Sequence, residues 1–424
     1  MYNSFNFLPS IVFVALLYYN TKSTGRIISL SNFIILLYTI SMISFGIYSL
    51  VDSTYFINVE AFFIVFFSIL ILIWPLAKFE KEITSEIKII ELEKERYEFL
   101  VFFIVSISVY SIFFFGKNIF QVFNSDLSVL RNQIMVDGGF YESSIFSKIA
   151  VFGAYLSPIA LFLYFYTLAV HENYKLRMLL LLSSTSFIFY TLNVAGRDGI
   201  IIWVITYLAL LCLFYPLLER EIIKNQKKLI LTSMMIFLPI LLIISFARFA
   251  QFDVEGSDDS NKNVLFSMIN YIGMQPYELS DRIEQLEIID YNGEPRSIYP
   301  LLFNIRDAFF GVVNDSDINN RNELRSESLD LGLKTQKFVY YIGDLLSELG
   351  MLGLIIVTSI IYFICRINLK IIDSSISISR LLISFTWYMI IIVGVFYFYY
   401  GQVVGNVFLL TPFLIHFYLK YRLV

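Results

Sequence analysis

The sequence predicts an all-α polytopic integral membrane protein with about eleven transmembrane helices and one large extracytoplasmic loop. Three observations carry this. Of 424 residues, 58% are hydrophobic and only 16% are charged, whereas a soluble domain holds about 25% charged residues. Apolar runs recur at close to the twenty or so residues that a helix needs to cross a bilayer core about 30 Å thick. Such runs exceed the roughly ten residues of a barrel strand, so the backbone hydrogen bonds must close within helices.

The spans fall at roughly 4–20, 27–50, 57–77, 98–116, 147–170, 178–195, 199–218, 229–247, 346–365, 381–400 and 403–419. Met1–Thr21 has no basic residue ahead of it, and Lys22 and Arg26 follow it, so it reads as a retained first helix. The segment KFEKEITSEIKIIELEKERYEF, 78–99, mixes Glu and Lys at helical spacing and reads as a solvated helix extension or interfacial stub. The last two spans come from one uncharged stretch, Leu381–Leu419, of 39 residues. At about 1.5 Å per residue it is about twice as long as the hydrocarbon is thick. It must fold back, and Gly401–Gly405 is the expected turn.

Basic residues set the orientation. The loops at 21–26, 78–98, 171–177, 219–228, 366–380 and the C-terminal tail hold 18 Lys and Arg; the short loops on the other side hold 4. Long loops do not follow the positive-inside rule, so the nine basic residues of 248–345 are set aside. The N-terminus is then outside and the C-terminus cytoplasmic. Helices 1–8 occupy 1–247, the large extracytoplasmic loop 248–345, and helices 9–11 346–424. That loop has apolar residues enough to pack: helical periodicity over Leu279–Ile289, a turn at Gly293–Arg296 and a short helix at Leu301–Phe310. Loops of this kind commonly carry function.

Several chemistries are excluded. The net charge of −4 gives no reason to expect nucleic acid, and Cys212 and Cys365 both sit in apolar runs, unlike a disulfide pair or metal site. His171 and His416, the two histidines, fall near cytoplasmic helix ends, so no imidazole base is expected outside. Walker, HExxH and GxSxG motifs are missing. No metal or cofactor is expected.

What remains is arginine. In NVAGRDGIIIW, Arg197 and Asp198 stand at the outer mouth of a helical hairpin, where Gly196 and Gly199 permit a tight turn. Arg248 follows the next outward span. Arg282, Arg296, Arg306, Arg321 and Arg325 lie in the long loop and Arg131 in an earlier one, so eight of fifteen arginines are on the outer side. A guanidinium donates two parallel hydrogen bonds and never deprotonates, which suits a phosphate or diphosphate. The candidate diphosphate-binding residues are therefore Arg197, Arg248, Arg306, Arg282 and Arg131. A structural reading stands beside this one, in which Arg197 pairs with Asp198 or caps a helix. With no histidine outside, a base must be a carboxylate or the substrate itself. Asp307, Asp344, Glu348 and Asp198 are the candidates, and plain boundary residues are the alternative for each.

The hairpin mouth NVAGRDGIII, the long loop, and then FVYYIGDLLSELGMLGLIIVTSIIY (338–362) together resemble the O-antigen and capsular repeat-unit polymerases. The residues that carry the resemblance are Gly196, Arg197 and Gly199, then Gly343, Asp344, Glu348, Gly350 and Gly353. It implies a membrane glycosyltransferase of GT-C-like architecture in a bacterial cytoplasmic membrane. Its substrates would be undecaprenyl-diphosphate-linked oligosaccharides, with a flippase and a chain-length regulator as partners. Two other readings stand beside it, of which the ligase shares the architecture. A polysaccharide ligase generally uses an outer-face histidine, which this chain lacks. A flippase or other transporter generally carries charge near the bilayer midplane on broken helices and shows internal repeats; no repeat is found here.

Overall fold

The computed structural model describes residues 6–51, 56–83, 87–90, 93–124, 144–170, 173–193, 196–249, 269, 272–286, 299–310 and 339–420. In chain order the main elements are α1 (Leu8–Thr24), α2 (Leu30–Val51), α3 (Val59–Glu82), strand β1 (Lys88–Ile90), α4 (Lys94–Asn124), α5 (Ile145–Tyr155), α6 (Ser157–Val170), α7 (Tyr174–Ser183), α8 (Ser186–Leu192), α9 (Asp198–Phe214), α10 (Arg220–Phe249), α11 (Gln275–Leu286), α12 (Pro300–Phe310), α13 (Tyr340–Asn368), strand β2 (Ser375–Ser377), α14 (Ile378–Val393) and α15 (Val403–Lys420). Among the described residues, α2, α3, α4, α9, α13 and α15 are long and apolar enough to cross a bilayer. A seventh span results if α5 and α6 count as one. The protein is an all-α membrane protein.

Several expected elements take a different form. The expected span 147–170 is bent by 41° between α5 and α6. Pro158, in the first turn of α6, has no N–H to continue the ladder, and its ring opposes the carbonyl four residues back. The expected span 178–195 divides into α7 and α8, because Ser184 and Thr185 turn their hydroxyls back onto Leu181 O and Leu182 O at 2.6 and 2.7 Å. The 78–99 segment contains a strand, with Lys88, Ile89 and Ile90 pairing in parallel with Ser375, Ile376 and Ser377. The fold-back after α14 lies at 394–402, earlier than Gly401–Gly405, and Gly405 is helical. Tyr341 N donates to Gly394 O at 2.8 Å, which engages that carbonyl outside its own helix. In the long loop, the periodicity over Leu279–Ile289 corresponds to α11 and Leu301–Phe310 to α12. The expected turn at Gly293–Arg296 lies outside the described residues.

The chain forms two compact units. One comprises Met1–Glu82, Leu265–Lys370 and Ile383–Phe413; the other comprises Ile83–Val264, Ile371–Leu382 and Leu414–Val424. The first unit packs around Phe13, Tyr38, Phe45, Val65, Leu72 and Tyr388, all buried. Two of its buried tyrosines find backbone partners, as a low-dielectric interior favours. Tyr38 donates to Ile391 O at 3.1 Å and Tyr388 to Leu72 O at 3.0 Å. Glu80, buried in the last turn of α3, accepts from Ser31 N at 2.9 Å and from the Ser31 hydroxyl. It thereby caps the start of α2, where unsatisfied N–H groups favour a carboxylate. Asn20 adds bonds of 2.7 Å to Ser31 Oγ and to Asn32 Oδ1, joining α1 to the same corner.

The second unit is tied through small and amide residues. Gly153 O accepts from Ser186 Oγ at 3.1 Å, and Trp203 Nε1 donates to Ser184 Oγ at 2.9 Å. Gln226 Oε1 takes both Tyr164 OH, at 2.8 Å, and Tyr207 OH, at 2.5 Å. Arg96 donates to Leu419 O at 3.1 Å, at the carbonyl end of α15 where a cation is favoured. His416 shares a 2.8 Å hydrogen bond with Ser379. His171 lies outside the described residues.

Candidate functional site

The first unit assembles its charged end around a break in α13. Gly350 has φ +64°, in the left-handed region that a side chain disfavours, and it divides the helix into a short half, 340–349, and a long one. The short half is fixed on its apolar side by Tyr340, Tyr341, Ile342 and Leu345, all buried. Gly343 lets α11 come close, since a Cβ there would meet Val339 and, at 3.4 Å, Leu279 Cδ1.

Three polar residues on the short half take separate roles. Ser347 Oγ donates to Gly343 O at 2.8 Å and accepts from Arg282 Nη1 of α11, also at 2.8 Å. Asp344 Oδ2 accepts from Phe398 N at 2.7 Å and so pins the aromatic fold-back loop FYFYY. Glu348 is half-buried and acts on the phenol of Tyr299, just ahead of α12. Burial, and then the Glu348 carboxylate, hold that phenol above its ordinary range, so it remains a hydrogen-bond donor. Tyr299 packs edge-on against Phe398, with ring centroids 6.0 Å apart. Asn406 closes the group by accepting from Leu301 N at 3.3 Å and donating to Tyr400 O at 2.8 Å.

The outcome for Arg282 is chemically specific. Its hydrogen-bond partner is a neutral hydroxyl, and among the described residues no carboxylate lies within ion-pair distance of it. A part-buried guanidinium held by one hydroxyl keeps most of its donors for an anion. Arg306 is half-buried on α12; Asp307 follows it in the helix, with its side chain outside the described residues. Arg282, Asp344 and Glu348 thus share one unit and one cluster.

Arg197 and Asp198 belong to the second unit. Arg197 is only 8% exposed and stands at the N-cap position of α9, with Asp198 in its first turn. Gly196 N donates to Thr191 O at 2.8 Å, closing the turn. A Cβ on Gly196 would come within 2.6 Å of Asp198 Oδ1, and one on Gly199 within 2.9 Å of Phe187 O, so both glycines are needed for close approach. Asn193, at the end of α8, is fully buried, and neither its amide nitrogen nor its oxygen has a hydrogen-bond partner. Arg248 is in the last turn of α10 with its side chain outside the described residues, and Arg131 lies outside them altogether.

Sequence reasoning missed Ser347, Tyr299, Asn406 and Asn193. Ser347 had a signal, the one-turn spacing from Gly343; Tyr299 and Asn406 are ordinary residues until the fold brings their partners, and Asn193 until the fold buries it. Among the described residues no three His, Cys, Asp or Glu gather as metal ligands would. Both cysteines are free thiols. The sequence matches no protein-family model, and neither a curated protein nor a solved structure is detectably similar to it.

Proposed function

We propose that this protein polymerises undecaprenyl-diphosphate-linked oligosaccharide repeat units into O-antigen or capsular polysaccharide, at the outer leaflet of a bacterial cytoplasmic membrane. The reading includes eleven spans, a GT-C-like arrangement, an outside N-terminus and a cytoplasmic C-terminus. The observation that carries it is Arg282, a guanidinium without an ion-pair partner among the described residues, fixed on the half-helix of Asp344, Ser347 and Glu348. By the charge pattern of the loops, that end of the first unit faces outward.

In the reaction, a hydroxyl at the non-reducing end of a lipid-linked unit attacks the anomeric carbon of the growing chain. The bond from that carbon to the diphosphate oxygen breaks, and the electron pair stays on the diphosphate. Arg282 stabilises the charge that accumulates there, as preorganised donors do at a developing oxyanion. The hydroxyl proton passes to Glu348 or to the departing diphosphate. Asp344 is the weaker base candidate, because one of its oxygens already holds the Phe398 N–H. Arg306 provides a further cation on α12. Arg197, with the unpartnered Asn193 amide, forms a second polar position, and Arg248 and Arg131 remain diphosphate candidates by sequence alone. No nucleotide is consumed, because the diphosphate linkage is already activated.

The test is an electrophoretic gel of surface polysaccharide. Cells lacking the gene, or carrying Arg282→Ala, should display single repeat units only. A normal ladder after gene deletion would sink the proposal.

One observation favours a second reading, a flippase for lipid-linked oligosaccharides. The breaks at α5–α6 and α7–α8 put irregular backbone and buried hydroxyls inside apolar stretches, as transporters do. Loss of a flippase would trap single units inside the cell, and none would reach the surface.

A further inference from the structure

A groove of about 480 Å³ runs between α3 and α13 in the first unit. Phe63, Phe67 and Ile71 line it from α3, and Met351, Ile355 and Thr358 from α13. Among its lining residues only Glu60, at one end, is ionisable. From Glu60 to Ile71 it extends about 16 Å along α3, at about 1.5 Å per residue. That is roughly half of a hydrocarbon core about 30 Å thick, or one leaflet. Phe67 and Ile355 are about half exposed, so the groove opens sideways, where a membrane protein meets lipid.

Its charged end adjoins the site described above. Met351, in the groove wall, directly follows Gly350, and Glu348 lies two residues before that break. A lipid with its headgroup at Arg282 therefore finds, starting at the same turn of helix, a channel one leaflet deep whose lining beyond Glu60 is uncharged. We infer that this groove seats the isoprenoid chain of the lipid carrier; the inference rests on the polymerase reading for the identity of that lipid. An isoprenoid is chosen because Arg282, which would hold the carrier's diphosphate, is bonded to Ser347, four residues before the groove residue Met351.

The experiment uses the full-length protein in phosphatidylethanolamine vesicles containing radiolabelled undecaprenyl diphosphate. A photoreactive benzophenone side chain replaces Ile355 in the groove or, separately, Leu352, which is 72% exposed on the same helix and absent from the lining. The position of Ile355 should capture the label and that of Leu352 should not. Unlabelled undecaprenyl diphosphate should abolish capture, added phosphatidylglycerol should leave it intact, and Ser359→Trp should reduce it by filling the groove. Equal labelling at both positions, or labelling that phosphatidylglycerol removes, overturns the inference. Capture needs no chain extension, so a failed polymerase reading leaves this result standing. Conversely, a polysaccharide ladder that depends on the gene, together with equal labelling, removes the groove alone.

Discussion

Arg282 reaches from α11 to the Ser347 hydroxyl on α13 at 2.8 Å, across 65 residues of sequence. The bond orients a cation without neutralising it. A salt bridge in its place would hold the same geometry and leave less charge for a ligand.

The first prediction separates these effects. Arg282→Ala should abolish chain extension, and Arg282→Lys should retain only part of it, since lysine keeps the charge and loses the planar fork. Ser347→Ala should act more mildly: a hydrogen bond to a charged group is worth about 1.5–3 kcal/mol, or roughly tenfold and upward in rate if all of it is felt at the transition state. Polymer length distribution on gels, normalised to protein in the membrane, checks all three.

The two carboxylates of the half-helix should respond in opposite ways. Asp344→Asn keeps an acceptor for Phe398 N and should retain extension. Asp344→Ala strands that N–H and should lower stability by about 1–3 kcal/mol. Glu348→Gln should leave thermal stability nearly unchanged and stop extension. Normal ladders from Glu348→Gln would remove it as the base and leave the proton to the diphosphate.

Gly350 tests the break itself. No atom lies within 4 Å of where its Cβ would be, so Gly350→Ala meets no clash and pays only for the left-handed backbone. That cost is roughly 1–3 kcal/mol, since φ +64° with ψ −175° is a combination that essentially only glycine adopts. Thermal unfolding in detergent should show it, and extension should fall further than stability if the angle between the two halves positions the site.

Tyr299 predicts a pH dependence. Its pKa is raised in the folded state by burial and by Glu348, so the fold favours the neutral phenol. The associated stability is complete below the ordinary tyrosine value of about 10 and is lost as pH rises through and beyond it. Tyr299→Phe cannot ionise, so melting curves of the two proteins should converge or cross on going from pH 9 to about 11. A constant difference across that range would count against the environment described here.

Asn193→Leu should stabilise the protein, since it replaces an unsatisfied buried amide with an apolar side chain of similar size. Mutational data put such a penalty at about 1–3 kcal/mol. If the amide serves a polar ligand beside Arg197, extension should fall as the melting temperature rises. A gain in both would assign Asn193 no functional role.

How much of this was legible in the sequence depends on the range of the physics. Membrane class follows from composition and run length, because the bilayer acts on each segment separately. The helices at Gln275–Leu286 and Pro300–Phe310 were visible as local periodicity, and Gly196 and Gly199 as a tight turn. The breaks at Ser157–Pro158 and Ser184–Thr185 had local causes as well, a missing N–H and competing hydroxyls, but uncharged runs passed over them. The strand at Lys88–Ile90 depends on a partner nearly 290 residues away, and nothing in its own charge pattern required it.

The amino-acid order alone determined that the chain is greasy, helical and rich in arginine on one predicted side. Only the tertiary structure decided which arginine stands with which acid. Arg282 meets the half-helix of Asp344 and Glu348, whereas Arg197 belongs to the other compact unit. It also decided that Asp344 is occupied with a backbone N–H while Glu348 faces a tyrosine. The physical reason is that hydropathy belongs to a segment, whereas a hydrogen bond of 2.8 Å exists only after distant segments have packed.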